Sequence, residues 1–135
     1  MIALDTNVLV RFLVEDDARQ TEQAAALIER AVASGDTLFV SDVVVAELVW
    51  VLSVSYRISR AQIAATLRDL LRARHLTFAA SDQLTRAIDS FARGKGDFAD
   101  YLIGEHARVA GCETVATFDR VLLRESGFMT PMQAR

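Results

Sequence analysis

Short apolar runs alternate with longer stretches of helical periodicity along the chain. The apolar runs predict five short strands, over residues 1–4, 37–40, 75–79, 114–116 and, as an edge strand, 128–130. We expect the first of these to be buried, because it is apolar up to Asp5. The periodic stretches predict helices over residues 6–14, 17–34, 41–55, 59–74, 81–93 and 97–110, and a last short helix that ends at residue 126.

Capping signals define several of these boundaries. Asp17 with Gln20, and Ser59 with Gln62, have the spacing of a capping box. Gly35 follows the second helix, where glycine is favoured as a stop signal.

Strands that alternate with helices predict an α/β protein. We expect a three-layer α/β/α fold, with a mostly parallel central sheet of four to five short strands flanked by helices. The 135 residues predict a single domain over residues 1–135. Ligands of such sheets bind at the carboxyl ends of the strands, which is where chemistry is expected.

Composition narrows the class of protein. Hydrophobic residues make up 52% of the chain and there is one proline, which excludes intrinsic disorder. Charges interrupt every long apolar stretch, and no secretory signal is visible, so we expect a cytoplasmic protein. The single cysteine, Cys112, forms no intrachain disulfide and is expected to be a small core residue. Trp50, Phe12 and Tyr56 are also predicted in the core, or in part in a groove for a partner helix.

The net charge of −3 argues against a surface devoted wholly to nucleic acid, although a local basic patch stays open. Fourteen of the 15 basic residues are arginine, which suits bidentate phosphate contacts, and coding bias explains the excess more simply. The candidates for phosphate contacts are Arg11, Arg57, Arg60, Arg68, Arg72, Arg86, Arg93 and Lys95, although for each of them a place on a solvated face is the favoured explanation.

Two acids follow predicted strands. Asp5 ends the first strand and Asp119 follows the fourth, so both carboxylates are expected at the edge of the sheet where ligands bind. The alternative is that each caps the helix that follows. Thr6 and Asn7 could cap equally well, which would leave Asp5 free for another role.

Glu47 is the only polar residue in the run from Val43 to Leu52. A helix that is apolar all round is predicted to be buried, and a buried carboxylate needs a compensating cation. The alternatives are a thin exposed edge of the helix or a buried arginine partner.

Asp97 and Asp100 lie three residues apart at the start of a helix, and therefore on one face. The alternative is that both stabilise the helix N-terminus.

Several carboxylates in one crevice repel one another unless a divalent cation holds them ionised. Oxygen ligands without histidine or cysteine indicate Mg²⁺ or Mn²⁺. Two other classes stay open. A phosphatase with Asp5 as nucleophile would need an acid at Asn7 and a lysine near the crevice, where Lys95 is the only lysine. A non-catalytic, metal-dependent binding module would use the same acids without hydrolysis.

Four motifs together resemble the PIN-domain ribonucleases, and most closely the VapC toxins of bacterial VapBC toxin–antitoxin pairs. They are Leu4-Asp5-Thr6-Asn7-Val8-Leu9, Ser41-Asp42-Val43-Val44-Val45-Ala46-Glu47-Leu48, Asp97-Phe98-Ala99-Asp100 and Val115-Ala116-Thr117-Phe118-Asp119. Their order and spacing cover nearly the whole chain.

The resemblance implies a set of roles. Asp5, Glu47, Asp100 and Asp119 would form the catalytic acidic set, with Asp5 and Asp100 as metal ligands. The supporting residues would be Thr6, Ser41, Asp97 and Thr117. The implied activity is Mg²⁺- or Mn²⁺-dependent cleavage of RNA, such as tRNA, by a metal-activated water, which leaves a 5′-phosphate and a 3′-hydroxyl. The implied partners are a VapB-like antitoxin that blocks the site and a second copy in a homodimer.

Overall fold

The computed structural model of the chain describes residues 1–134, which divide into two compact units, Met1–Ser81 and Asp82–Arg135. The prediction of one domain over residues 1–135 stays a prediction, and Arg135 itself lies outside the described residues. No helix within residues 1–134 is both long and apolar enough to cross a bilayer.

The first unit contains a parallel sheet and four helices. Its elements are β1 (Ile2–Ala3), α1 (Thr6–Val14), α2 (Ala18–Ser34), β2 (Leu38–Val40), α3 (Asp42–Val54), α4 (Arg60–Arg72) and β3 (Leu76–Phe78). The strands pair in the order β1-β2-β3, with Ile2 opposite Leu38 and Leu38 opposite Leu76. Leu38 is buried in the core with Leu48 and Leu67.

The predicted caps of the first unit are confirmed. The side chain of Asp17 accepts a hydrogen bond from the Gln20 N–H at 3.0 Å, and Ser59 Oγ accepts one from the Gln62 N–H at 3.2 Å. Gly35 ends α2 in the left-handed region, at φ 71°. These local bonds satisfy N–H groups that the helix itself cannot pair, and they explain why the helix boundaries were readable from the sequence.

The second unit is built around two helices. It contains α5 (Ser81–Arg93), α6 (Phe98–Val109), β4 (Val115–Ala116), a 3₁₀ helix (Leu122–Arg124) and β5 (Phe128–Met129). Phe91 of α5 and Phe98 of α6 meet edge to face, with ring centroids 5.9 Å apart. The last helix predicted from the sequence is a single 3₁₀ turn in the structure. Strand β4 pairs with β5 in a parallel two-stranded sheet.

The predicted α/β class, with parallel strands flanked by helices in a three-layer α/β/α fold, is confirmed by these elements and their order. The five strands pair as a group of three and a group of two, where the sequence predicted one sheet. The prediction of a buried first strand is wrong, because β1 is an edge strand of its sheet and Ile2 is 56% exposed. An apolar run of this length does not reveal on how many sides a strand is covered.

Cys112 is exposed and not a core residue. It lies just after Gly111, whose φ of 90° turns the chain away from the end of α6. Phe12 and Tyr56 are half-buried.

Candidate functional site

Asp5 is the N-cap of α1, immediately after β1. Its Oδ1 accepts a hydrogen bond from the Thr6 N–H at 2.8 Å, and the residue is exposed. The alternative that Asp5 caps the following helix is therefore correct for its Oδ1 atom. Oδ2 lies outside that bond, so the same carboxylate can also act as a ligand.

Thr6 is the one buried polar residue in the core of the described chain, at 5% exposure. Its Oγ1 is fully covered and has no hydrogen-bond partner within residues 1–134. A buried hydroxyl without a partner is unfavourable by about 1–3 kcal/mol.

Glu47 lies on the exposed edge of α3, so the prediction that it is buried is wrong. Val43, Trp50 and Val54 share this edge and are 67%, 63% and 55% exposed. Their spacing of three and four residues places them on one helix face. The core prediction for Trp50 is wrong for the same reason: apart from Glu47, the residues named on the solvent-facing edge of α3 are apolar, so residue type did not distinguish this edge from the buried face. The carboxylate of Glu47 is thus solvated and available without a buried counter-charge.

Ser41 caps the same helix. Its Oγ accepts a hydrogen bond from the Val44 N–H at 3.2 Å, which fixes the start of α3 six residues before Glu47. The Ser41 hydroxyl keeps its own hydrogen as a donor for a further acceptor.

Two acids stand at the start of α6 in the second unit. Asp97 occupies the N-cap position, yet its side chain makes no capping hydrogen bond. Burial raises the pKa of Asp100 above its ordinary value, the carboxylates of Asp97 and Asp119 raise it further, and a hydrogen bond from the Asp97 backbone opposes this rise. The three carboxylates therefore share one electrostatic environment, in which a bound cation would relieve their repulsion.

Asp119 is held by a tight local turn after β4. Its backbone N–H donates to Thr117 Oγ1 at 3.0 Å, and its Oδ1 accepts from the Val121 N–H at 2.8 Å. Thr117 thus orients the backbone of Asp119, and the remaining oxygen, Oδ2, lies outside this turn.

Within the unit Asp82–Arg135, Asp97 and Asp119 both lie close enough to Asp100 for their charges to raise its pKa. Thr117 belongs to the same unit. The remaining expected site residues belong to the unit Met1–Ser81 and are Asp5, Thr6, Ser41 and Glu47. No group of three or more His, Cys, Asp or Glu side chains within residues 1–134 forms a ready-made cage for a metal ion. Mg²⁺ does not require one, because it is usually held by one or two carboxylates, waters and substrate phosphates. The carboxylate oxygens of the expected acids are the hard donors that such an ion prefers.

Several of the basic residues expected to contact phosphate already have carboxylate partners. Arg86 Nε donates to Glu105 at 2.7 Å and Arg11 Nη1 to Asp16 at 2.9 Å. In each pair one side chain is largely exposed, Arg86 at 59% and Asp16 at 42%, and ion pairs in contact with solvent are weak. Lys95 is exposed on the loop that leads to Asp97, which places an ammonium group in the chain two residues before an expected site acid.

Tyr101 and Glu125 are two residues near these acids that sequence reasoning missed. The hydroxyl of Tyr101 donates to Glu125 Oε1 at 2.6 Å and accepts from the Gly96 N–H at 2.9 Å. Gly94 and Gly96, on either side of Lys95 and directly before the helix of Asp100, were the only sequence feature that could have indicated a close backbone contact here. No feature of the sequence indicated that Glu125, 24 residues after Tyr101, would accept its hydrogen bond.

Comparisons with known proteins agree with the four motifs. The model of the PIN domain family matches residues 2–126, a span that includes all four of them, and the chain belongs to this family. The chain is also similar to the VapC ribonuclease of Aquifex aeolicus (strain VF5), with 28% identity over 130 residues, or 96% of this chain and 95% of that protein. The predicted resemblance to VapC-type PIN domains is thereby confirmed.

Proposed function

We propose that the protein is a divalent-metal-dependent endoribonuclease and the toxin of a toxin–antitoxin pair that inhibits translation. The observation that carries the proposal is that the chain belongs to the PIN domain family over residues 2–126. The raised pKa of Asp100, to which Asp97 and Asp119 contribute, fits a place where a cation would be favourable. The similar VapC ribonuclease supports RNA as the substrate.

In this proposal Asp5 and Asp100 are the metal ligands. A bound Mg²⁺ or Mn²⁺ would polarise the phosphodiester and make a water molecule a stronger nucleophile at neutral pH. Asp5 would use Oδ2, since its Oδ1 is engaged by the Thr6 N–H. Asp97, whose side chain is not engaged in capping α6, would support Asp100 from the same face of the helix.

Glu47 and Asp119 are proposed to handle the proton of the attacking water. Oδ2 of Asp119 is the oxygen free of the local turn and would orient the water or accept its proton. Attack on phosphorus then breaks the bond to the 3′ oxygen and leaves a 5′-phosphate and a 3′-hydroxyl. Membership of the PIN family and Asn7, in place of the second aspartate of an aspartate-nucleophile phosphatase, speak against that class.

Cleavage of RNA by the purified protein tests the activity. With Mg²⁺ or Mn²⁺ we expect cleavage of RNA, loss of cleavage in EDTA and recovery on adding back the metal. Asp5→Asn should lower the rate by about 100-fold or more, as expected for removal of a metal ligand. Asp69→Asn is the matched control, since Asp69 is an exposed acid on α4. Cleavage that persists in EDTA and in Asp5→Asn would overturn the metal-dependent mechanism.

The toxin role is tested in cells. We expect expression of the chain alone to arrest growth through loss of translation, and the Asp100→Asn variant to be harmless at equal abundance. Co-expression with the product of a short neighbouring gene should relieve the arrest if that product is a VapB-like antitoxin. Normal growth with abundant active protein would contradict a toxin role.

A homodimer and a cytoplasmic location complete the proposal. Sedimentation of the purified chain should give about twice the monomer mass of 14.9 kDa. The lone Cys112 cannot form an intrachain disulfide, which suits a reducing compartment.

A further inference from the structure

The loop Gly94-Lys95-Gly96, directly before α6, is anchored by a buried tyrosine. Tyr101 is 5% exposed, and its hydroxyl makes two hydrogen bonds. It accepts from the Gly96 N–H at 2.9 Å and donates to Glu125 Oε1 at 2.6 Å. A short bond to a carboxylate is among the stronger hydrogen bonds of proteins, so this chain of three groups is a firm link. We call it the Gly96–Tyr101–Glu125 brace.

The two glycines allow the loop to lie against the brace. A Cβ on Gly94 would collide with the Tyr101 hydroxyl and lie 2.5 Å from Glu125 Oε1. A Cβ on Gly96 would lie 2.8 Å from Leu122 Cδ2. The backbone of the loop is therefore in direct contact with the brace, and a side chain at either position would force the two apart.

The brace joins the segments that carry three site acids. Gly96 is followed at once by Asp97, and Tyr101 is preceded at once by Asp100. Glu125 follows the 3₁₀ helix that begins three residues after Asp119. The brace thus links the start of α6 to the turn after β4.

We propose that Tyr101 and Glu125 are positioning residues that hold Asp97 and Asp100 in place relative to Asp119, so that Asp100 can bind the divalent cation with these two acids beside it. This inference rests on the proposed function and assigns to the brace a part in it. Neither Tyr101 nor Glu125 touches the reacting atoms. They act by fixing the backbone on either side of residues that do.

Packing alone does not account for the hydroxyl of Tyr101. Phe91 and Phe98 are phenyl side chains of α5 and α6 that are buried without any polar group. A phenylalanine at position 101 would bury the same ring and lose only the hydroxyl. Tyr101→Phe therefore distinguishes the effect of the two hydrogen bonds from the effect of ring packing, because it removes the hydroxyl and leaves the buried volume almost unchanged.

Metal binding in the absence of RNA is the direct test. Free Mn²⁺, followed by its electron paramagnetic resonance signal, is titrated with the wild-type protein, Tyr101→Phe and Glu125→Gln. We expect Tyr101→Phe to bind Mn²⁺ about tenfold or more weakly, in the range found when a residue that orients a metal ligand is removed. Glu125→Gln keeps an oxygen acceptor for the hydroxyl and should stay close to wild type, whereas Glu125→Ala should resemble Tyr101→Phe.

The chain offers a matched control in its other tyrosine. Tyr56 also donates to a carboxylate oxygen, Oδ2 of Asp16, at 2.6 Å, but the loop that it holds, between α1 and α2, carries none of the expected site acids. Tyr56→Phe should lower the thermal transition and leave Mn²⁺ affinity as in wild type. In RNA cleavage, Tyr101→Phe should lower kcat at saturating RNA and leave KM nearly constant.

The results expected if the brace has no positioning role differ from those expected if the proposed function is wrong. If the wild type binds Mn²⁺ and cleaves RNA, and folded Tyr101→Phe and Glu125→Ala do both equally well, the brace has no positioning role. An equal loss of Mn²⁺ affinity in Tyr56→Phe would likewise overturn the inference, since it would show a general effect of destabilisation. A wild type that neither binds Mn²⁺ nor cleaves RNA overturns the proposed function, and the inference with it. If Tyr101→Phe does not fold, the contrast between Glu125→Ala and Glu125→Gln decides.

Discussion

At the scale of single residues, an aspartate at the start of a helix can cap the helix or bind a metal ion, and the hydrogen bonds of its carboxylate oxygens decide which. Asp5 caps α1 with one oxygen and keeps the other, whereas Asp97 sits at a capping position and does not cap. The sequence identified both acids because acids at strand ends and helix starts are conspicuous. It could not decide between capping and ligation, since that depends on which N–H group each oxygen faces.

The raised pKa of Asp100 predicts that its charge opposes folding. Because the folded pKa lies above the unfolded value, the penalty is absent below about pH 4 and grows as the pH rises through the folded pKa. Asp100→Asn should therefore abolish RNA cleavage and, without metal, unfold at an equal or higher temperature at pH 7. The difference should vanish near pH 3, in thermal scans followed by circular dichroism. A lower transition temperature at pH 7 would contradict this.

At the scale of elements, helix α3 shows that a hydrophobic pattern does not predict which face of a helix is buried when apolar residues lie on every side of it. Its apolar residues run all round the helix, so the sequence predicted complete burial and a buried Glu47. In the structure Leu48 is 1% exposed while Trp50, two residues on, is 63% exposed. The number of neighbours that cover a helix is a tertiary property. No periodicity encodes it when both faces are apolar.

This difference along α3 predicts unequal costs of truncation. Leu48→Ala should lower the free energy of unfolding by about 2–5 kcal/mol, because it opens a cavity in the core. Trp50→Ala should change it by about 0.5 kcal/mol or less, as is usual for an exposed side chain. Urea denaturation of both variants measures the two values. Trp50 should also emit at the red-shifted wavelength of a solvated indole, and a large loss of stability in Trp50→Ala would contradict its exposure.

The loop between α1 and α2 is held by a network that the sequence did not reveal. Tyr56 donates to Asp16, and Arg11 donates to Asp16, to Gln20 at 2.6 Å and to the Tyr56 hydroxyl at 3.3 Å. Forty residues separate Asp16 from Tyr56, so no local pattern predicts their contact. The hydrogen bond from Tyr56, followed by the charge of Arg11, lowers the pKa of Asp16.

The lowered pKa of Asp16 predicts a loss of stability in acid. The folded pKa lies below the unfolded one, so the contribution is complete above about pH 4 and is lost as the pH falls through the folded value. Asp16→Asn should be less stable than wild type at pH 7, and the gap should narrow as the pH is lowered below about 4. Unfolding by urea at several pH values checks this, with Asp69→Asn as the exposed control. A gap that is constant with pH would contradict the prediction.

At the scale of the whole molecule, the order of helices and strands was predictable and the pairing of strands was not. Caps such as Asp17 and Ser59 mark element boundaries locally, so the alternation of elements could be inferred from the sequence. Strands of two or three residues carry too few side chains to specify a neighbour. The split into a three-stranded and a two-stranded sheet therefore had no signal in the sequence.

The prediction of a single domain has its own test in the unfolding of the chain. We expect far-ultraviolet circular dichroism, which reports on every helix, and the fluorescence of Trp50, which reports on its own unit, to give coincident urea transitions. Coincident midpoints and slopes would support one cooperative domain. Two separate transitions would show that Met1–Ser81 and Asp82–Arg135 unfold independently.

The close fit of Gly94 against the Tyr101 hydroxyl also limits how the sequence can change. A β-carbon at position 94 would meet the Tyr101 hydroxyl most closely, followed by Glu125 Oε1 at 2.5 Å and the Ser90 carbonyl oxygen at 2.9 Å. A smaller residue at position 101 relieves the closest of these contacts, so we expect the effects of substitutions at positions 94 and 101 to be non-additive. A library randomised at both and sorted for folded protein should retain alanine at 94 chiefly beside a smaller residue at 101. Glycine should dominate wherever the phenol persists.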